Sequence, residues 1–225
     1  MKTMKAMKTM GLMLAMGILA LWGAVDARAD TNTGNDSDSL TITMTPSVDL
    51  GVDVDTATAV MEGGTDLSVS VALGATAYMT SPAAVTILGN FNNQEVELSA
   101  AGLDSWTVDE DEVAEKNKVQ VYALFAVAKA SRPVELEFGQ GEDGRHQVTG
   151  SAAKAGEPQG AEDDSDTDNQ YEIAGGDMLD GTSMDNLAVG TQKQLWIRVD
   201  APPESDWDLA QQVQVTLTAV TGRLN

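Results

Sequence analysis

The stretch QLWIRVDAPPESDWDLAQQVQVTLTAV (194–220) decides how this chain is read. In its first part Leu195, Ile197 and Val199 alternate with Gln194, Trp196 and Arg198. In its last part Val213, Val215, Leu217 and Ala219 alternate with Gln214, Thr216 and Thr218. Successive side chains of a strand point to opposite faces, so a period of two marks a strand with one face against a core. Between the two runs stand Pro202, Pro203, Asp206 and Asp208, residues that favour turns and break a ladder. Two strands joined by a proline-containing loop are the result. Trp196 falls out of phase with Leu195 and Ile197, so it faces the opposite side, either under a loop or exposed.

The same period recurs outward from this stretch. It is seen in LTITMT (40–45), VDLGVDVD (48–55), LSVSVAL (67–73) and VELEF (134–138). AVTILG (84–89) and EVELSA (95–100) flank the turn-rich NFNN, where asparagine tolerates the left-handed conformation and a hairpin is expected. KVQVYALFAVA (118–128) is apolar on both faces, as a covered central strand would be. DEDEVAEKNK (109–118) allows at most a turn or two of helix. No segment after the first 29 residues keeps a helical apolar stripe over three turns. The expectation is all-β: an antiparallel sandwich of roughly eight or nine strands over residues 40–225. Val121, Phe125, Leu195, Ile197, Val215 and Leu217 should lie in its core. One long acidic loop insert, 139–186, rich in Gly, Asp and Ser, interrupts it.

The N-terminal end has a different character. Lys2, Lys5 and Lys8 precede an apolar run from Met10 to Val25, and Ala27-Arg28-Ala29 gives a small-x-small site. Residues 1–29 are therefore expected to be a secretory signal peptide, with the mature chain starting at Asp30, and 30–39 a flexible acidic leader. No stable membrane span is expected after cleavage. The expected location is secreted: periplasm, cell surface or extracellular space. The chain contains no cysteine, which excludes a disulfide framework and a lipid-anchored cysteine. Its net charge of −22 repels nucleic acid and anionic membranes.

Two stretches resemble a known pattern. AVTILGNFNNQEVELSAAGLDSW (84–106) is similar to a strand that turns through Gly-Asn into a hairpin partner and leads on to a tryptophan. VGTQKQLWIRVDAPPESDWDLAQQVQVTLTAV (189–220) is similar to the last two strands of the same kind of domain. Both resemble immunoglobulin-like domains of bacterial secreted and surface proteins. The resemblance implies an immunoglobulin-like sandwich and leaves function open among adhesion, spacing, sugar binding and assembly. Leu88, in place of a polar turn residue, and the acidic insert depart from the pattern.

Catalytic chemistry finds little to stand on. His146 is the only histidine and reads as a solvated loop residue; no G-x-S-x-G elbow accompanies it. A zinc site needing several His or Cys ligands cannot be assembled. In EDDSDTDNQYE (162–172), Asp164, Asp166 and Asp168 match the first half of a calcium loop. The template's last ligand position falls on Gly175, and Glu172 comes too early. Two readings follow: a calcium site, or a solvated, self-repelling loop, which the incomplete template favours. Trp207, a loop tryptophan in PESDWDL, has two readings, a loop anchor, which is favoured, or a ligand contact. The expectation is a non-enzymatic structural or interaction module of the cell envelope or extracellular matrix, needing no cofactor apart from possible calcium. Its partners would be envelope or matrix proteins, or glycans. The alternative is a carbohydrate-binding or adhesive module using Trp207 and the acidic insert.

Overall fold

A central strand near the C-terminus organises the molecule. The computed structural model describes residues 44, 47–111, 113–139, 146–156, 170–172 and 184–222. All but Met44 belong to one compact unit that runs from Pro46 to Asn225. Among the described residues ten strands occur in the order β1 (Leu50–Asp55), β2 (Val60–Met61), β3 (Thr76–Ser81), β4 (Ala83–Gly89), β5 (Gln94–Gly102), β6 (Thr107–Val108), β7 (Lys118–Ala126), β8 (Ala153–Lys154), β9 (Gln192–Asp200) and β10 (Val213–Thr221). The protein is all-β, and apart from the short β6–β7 pair its strands run antiparallel.

β9 pairs along one edge with β3 and then β4, and along the other with β7; β1, β2 and β6 complete a seven-stranded sheet. Between the two registers, Met79 to Pro82 lie opposite only Trp196 and Ile197, which is a bulge in the β3–β4 side. Pro82, with no N–H to give a ladder, falls at this interruption. The Ile197 N–H, displaced from a carbonyl partner there, donates to the Met79 sulfur at 3.1 Å. A second sheet of three strands has the order β10-β5-β8. One core takes in Val85, Ile87, Val121, Phe125 and Leu195 of the large sheet and Val96, Leu98 and Ala100 of the small one. Of the residues expected inside, Val121, Phe125 and Leu195 are buried; Ile197, Val215 and Leu217 are half-buried against that core.

The expected hairpin through NFNN is not formed. β4 lies in the large sheet and β5 in the small one, so this segment carries the chain between sheets. Gly89 takes the left-handed turn at φ 97°, where a side chain would strike the Asp49 carbonyl. Gln94, fully buried, holds the crossing: its amide donates to the Leu88 and Phe91 carbonyls at 2.7 Å each. Its oxygen accepts from the Gly51 N–H at 3.1 Å.

Two other expected strands are absent. In 67–73 the alternation survives as burial, with Val69 and Val71 packed on the core, but no ladder forms. Asp66 starts a turn there by accepting the Ser68 N–H at 2.7 Å, a bond that also draws its pKa below the usual carboxylate range. One-sided burial alone produced the pattern. In VELEF, Glu137 turns back to accept the Val134 N–H and the Lys129 ammonium, closing a 3₁₀ turn at Glu135–Phe138. Val134 and Leu136 are exposed, while Phe138 is buried with its ring 5.9 Å from that of Tyr78. The acidic run 109–118 forms no helix in its described residues. Instead buried Asp109 accepts the Asp111 and Glu115 N–H groups at 3.2 Å each.

Arg198, in the middle of β9, is fully buried rather than on a wet face. Its guanidinium is bidentate to Asp200, at 3.0 and 2.5 Å. It stacks over Tyr122 at 4.7 Å, and Tyr78 lies 5.8 Å from it. The outer face of Tyr78 is covered by Arg132 at 4.4 Å, itself paired with Glu62. A cation over an aromatic face is stabilised by the ring quadrupole, and Asp200 supplies the opposite charge that a buried guanidinium requires. Trp196, on the same side of β9, is buried as well.

The described parts of the insert 139–186 include β8 and bond to both sheets. His146 and Val148 bond to β7, through Ala123 N–H to the His146 carbonyl at 2.9 Å and Val148 N–H to the Val121 carbonyl at 2.7 Å. The chain then crosses to β5, where Ala100 donates to Thr149 and Ala155 donates to Val96, each at 2.8 Å. The segment thus laces the two sheets along one flank. His146 is buried there, not solvated. Tyr171, also buried, accepts the Phe125 N–H at its carbonyl, and burial raises its phenol pKa. Glu95, buried on β5, is paired with Lys154 at 2.7 Å.

Candidate interaction site

Two loops meet at one end of the sheets: 103–106, leaving β5, and 201–212, between β9 and β10. Their contact is built almost entirely from side chains that bond to backbone. The Gln211 oxygen accepts the Ser105 and Trp106 N–H groups at 2.9 and 3.0 Å. The Asp104 carboxylate accepts the Gln212 N–H at 2.9 Å, and Leu103 donates to the Gln212 carbonyl. Gly102 must be glycine, because a Cβ there would lie 1.9 Å from the Trp106 carbonyl oxygen.

Ser205 is the centre of the clamp. Its hydroxyl accepts from the Trp106 indole at 2.9 Å and from the Trp207 N–H at 3.0 Å, and donates to the Trp207 carbonyl at 2.9 Å. One donor and two lone pairs are all a hydroxyl offers, so its capacity is used up. Asp206 is held by Asn117, which donates at 2.9 Å and accepts the Asp206 N–H at 2.8 Å, and by Lys116 at 2.5 Å. The Lys116 hydrogen bond, then that of Asn117, lowers the Asp206 pKa, and the same contact raises that of Lys116. Both side chains are about half exposed, so salt screens this pair.

What this framework presents to solvent is apolar. Trp207 is 51% exposed, Leu209 77% and Leu103 53%. An indole on a backbone already fixed by two bonds to one serine gives contact area with less loop entropy left to lose on binding. Carboxylates of Asp206 and Asp208 adjoin it in sequence and can accept hydrogen bonds. The arrangement offers exposed apolar surface beside hydrogen-bond acceptors.

Of the residues expected to form sites, Trp207 lies here. Asp164, Asp166 and Asp168 lie outside the described residues. Among the described residues no group of three or more His, Asp or Glu is placed to hold a metal ion. Sequence reasoning missed Ser205, Gln211 and Asp104. Their bonds to Trp106, Ser105 and Gln212 span about a hundred residues, and no local pattern announces such partners. No family model matches the chain, and no curated protein matches it. The immunoglobulin-like resemblance therefore stands on the residues of its two stretches alone. No helix among the described residues is long and apolar enough to cross a membrane.

Proposed function

We propose that this chain is an exported, non-catalytic module with an immunoglobulin-like sandwich, a structural or interaction element of the cell envelope or extracellular matrix. The observation that carries this reading is the exposure of Leu103, Trp207 and Leu209 on two loops that are hydrogen-bonded to each other. Export rests on the basic, apolar and Ala27-Arg28-Ala29 segments in succession. The strong negative charge sets nucleic acid aside as a partner. Fixing Trp207 through Ser205, at a position where its ring gains little core burial, fits a surface kept ready for a partner.

The test is binding of Trp207→Ala and Leu209→Ala proteins to purified envelope or matrix preparations. Both variants should melt like the parent and lose most binding. Unchanged binding would remove these residues from consideration. N-terminal sequencing of the recovered protein should begin at Asp30. The exposed indole beside two carboxylates favours one second reading, a carbohydrate-binding or adhesive module, with calcium held by Asp164, Asp166 and Asp168. A glycan array, with and without chelator, separates the two: discrete glycan hits lost in Trp207→Ala proteins favour the second.

A further inference from the structure

Charge is unevenly distributed around Trp207. A third segment, 109–118, joins the loops 103–106 and 201–212 at this end of the sheets. Asn117 ties it in, with its N–H donating to the Glu204 carbonyl at 3.0 Å and its side chain holding Asp206. The three segments contain two basic residues, Lys116 and Lys118, among many acidic ones. Both are already committed, Lys116 to Asp206 at 2.5 Å and Lys118 to Glu115 at 2.6 Å. Glu204 acts on the same Lys116 ammonium, so two carboxylates share one cation. Among the described residues no cation lies within ion-pair distance of Glu204 or Asp208, and both are exposed.

Apolar surface stands among these carboxylates. Besides Leu103, Trp207 and Leu209, Val113 is 76% exposed. Covering such residues removes the neighbouring carboxylates from water as well. That desolvation is costly unless an opposite charge arrives with whatever does the covering. A second copy of this chain, at net charge −22, brings the wrong sign, and so does an anionic membrane. A neutral sugar can stack on Trp207 but brings no charge at all.

We infer that this end of the molecule binds a basic segment of a protein partner. The partner's apolar side chains rest on Trp207, Leu209 and Leu103, and its cations meet Glu204 and Asp208. The inference rests on the reading of the chain as an interaction module and names the chemistry of its partner. Arginine fits better than lysine, because a guanidinium pairs with a carboxylate through two bonds and also stacks on an indole.

The protein, as recovered from the producing cell, is titrated calorimetrically with a short synthetic peptide of alternating arginine and leucine. Counterparts carry glutamate in place of arginine, lysine in place of arginine, or serine in place of leucine. The arginine–leucine peptide should bind most tightly, the lysine form less so, and the affinity should fall as salt rises. Trp207→Ala/Leu209→Ala and Glu204→Gln/Asp208→Asn should each weaken it about tenfold or more, with the melting transition retained. Asp49→Asn/Asp53→Asn, which removes the same charge beside β1, should leave it nearly unchanged. Absence of binding overturns the inference. Equal binding of the arginine–serine peptide, or an equal loss in the Asp49/Asp53 variant, overturns it too, since either would mean diffuse attraction to a negative surface. Preference for the glutamate–leucine peptide or for a neutral oligosaccharide overturns it in favour of an apolar or glycan partner. If Trp207→Ala abolishes binding to envelope preparations while the arginine–leucine peptide fails, the basic partner falls and the interaction reading stands.

Discussion

β9 and β10 are consecutive strands of the same length with the same alternation, and they end in opposite environments. β9 contains lysine and arginine, yet Lys193 and Arg198 are buried and the strand has neighbours on both edges. β10 contains no charge at all, yet among the described residues it stands at an edge with its core face half-covered. Composition taken alone would exchange their places. Alternation reports that one side of a strand is buried; it carries no information about how many neighbours the strand has. A charge can enter the centre of a sheet when its counter-ion comes with it, as Asp200 does for Arg198.

That comparison can be broken most forcefully at Arg198. Replacing it with alanine leaves Asp200 without its partner and empties the stack on Tyr122, and should cost about 3–5 kcal/mol in urea unfolding. The pair Arg198→Met/Asp200→Asn, which removes both charges, should recover part of that loss. A cost below that of an exposed salt bridge would show that the ladder is not what holds this face. Next come Leu195→Ala and Leu217→Ala. The first empties a buried site and should cost about 2–5 kcal/mol; the second, half-buried, should cost roughly half as much. Equal costs would place β10 in the interior.

A smaller effect separates the flank laced by residues 146–156 and 170–172 from the open one. Burial raises the Tyr171 pKa, so the folded state holds its proton at pH values where the unfolded chain has released it. The unfolded state then binds fewer protons, and stability falls as pH rises above about 10. Tyr171→Phe should flatten part of that alkaline decline. At neutral pH it should cost no more than about 1 kcal/mol, since the phenol's contact with the Gln147 carbonyl is long at 3.4 Å. An alkaline melting curve identical to the parent's would contradict it. The smallest effect belongs to Asp206, whose pKa is lowered in the folded state. Its contribution is present at neutral pH and is lost as pH falls through the folded value. The difference in melting between the parent and Asp206→Asn should therefore vanish in acid, and shrink in high salt.

The sequence makes the fold class legible because three long strands, at Lys118–Ala126, Gln192–Asp200 and Val213–Thr221, carry their period without interruption. It misleads where a local pattern has a second cause. Val69 and Val71 alternate because a loop rests on the core, and VELEF is turned into a helix by one glutamate that reaches back. NFNN has turn residues but makes a crossing, because whether β4 meets β5 depends on Gln94 and on strands far away. His146 and Tyr171 look solvated among acidic neighbours and are buried by contacts with β7. The exposure of Trp207 is legible in the sequence, because an indole between two aspartates after two prolines has nowhere apolar to go locally. Its clamp is not, since Ser205 and Gln211 are ordinary polar residues until Trp106 and Ser105 are brought beside them.

The position of β9 in the chain also governs how the protein is made. β3, β4 and β7 all pair with it, and all leave the ribosome earlier. At about 5–20 residues per second, the wait between β3 and the end of β9 is on the order of ten seconds. During that interval Val85, Ile87, Val121, Leu124 and Phe125 belong to strands that lack their central neighbour, with apolar faces and open backbone edges together. Such intermediates aggregate readily, and long-range pairing of this kind closes slowly. Synthesis therefore ends with a chain that must be kept from sticking until residue 200 has been delivered.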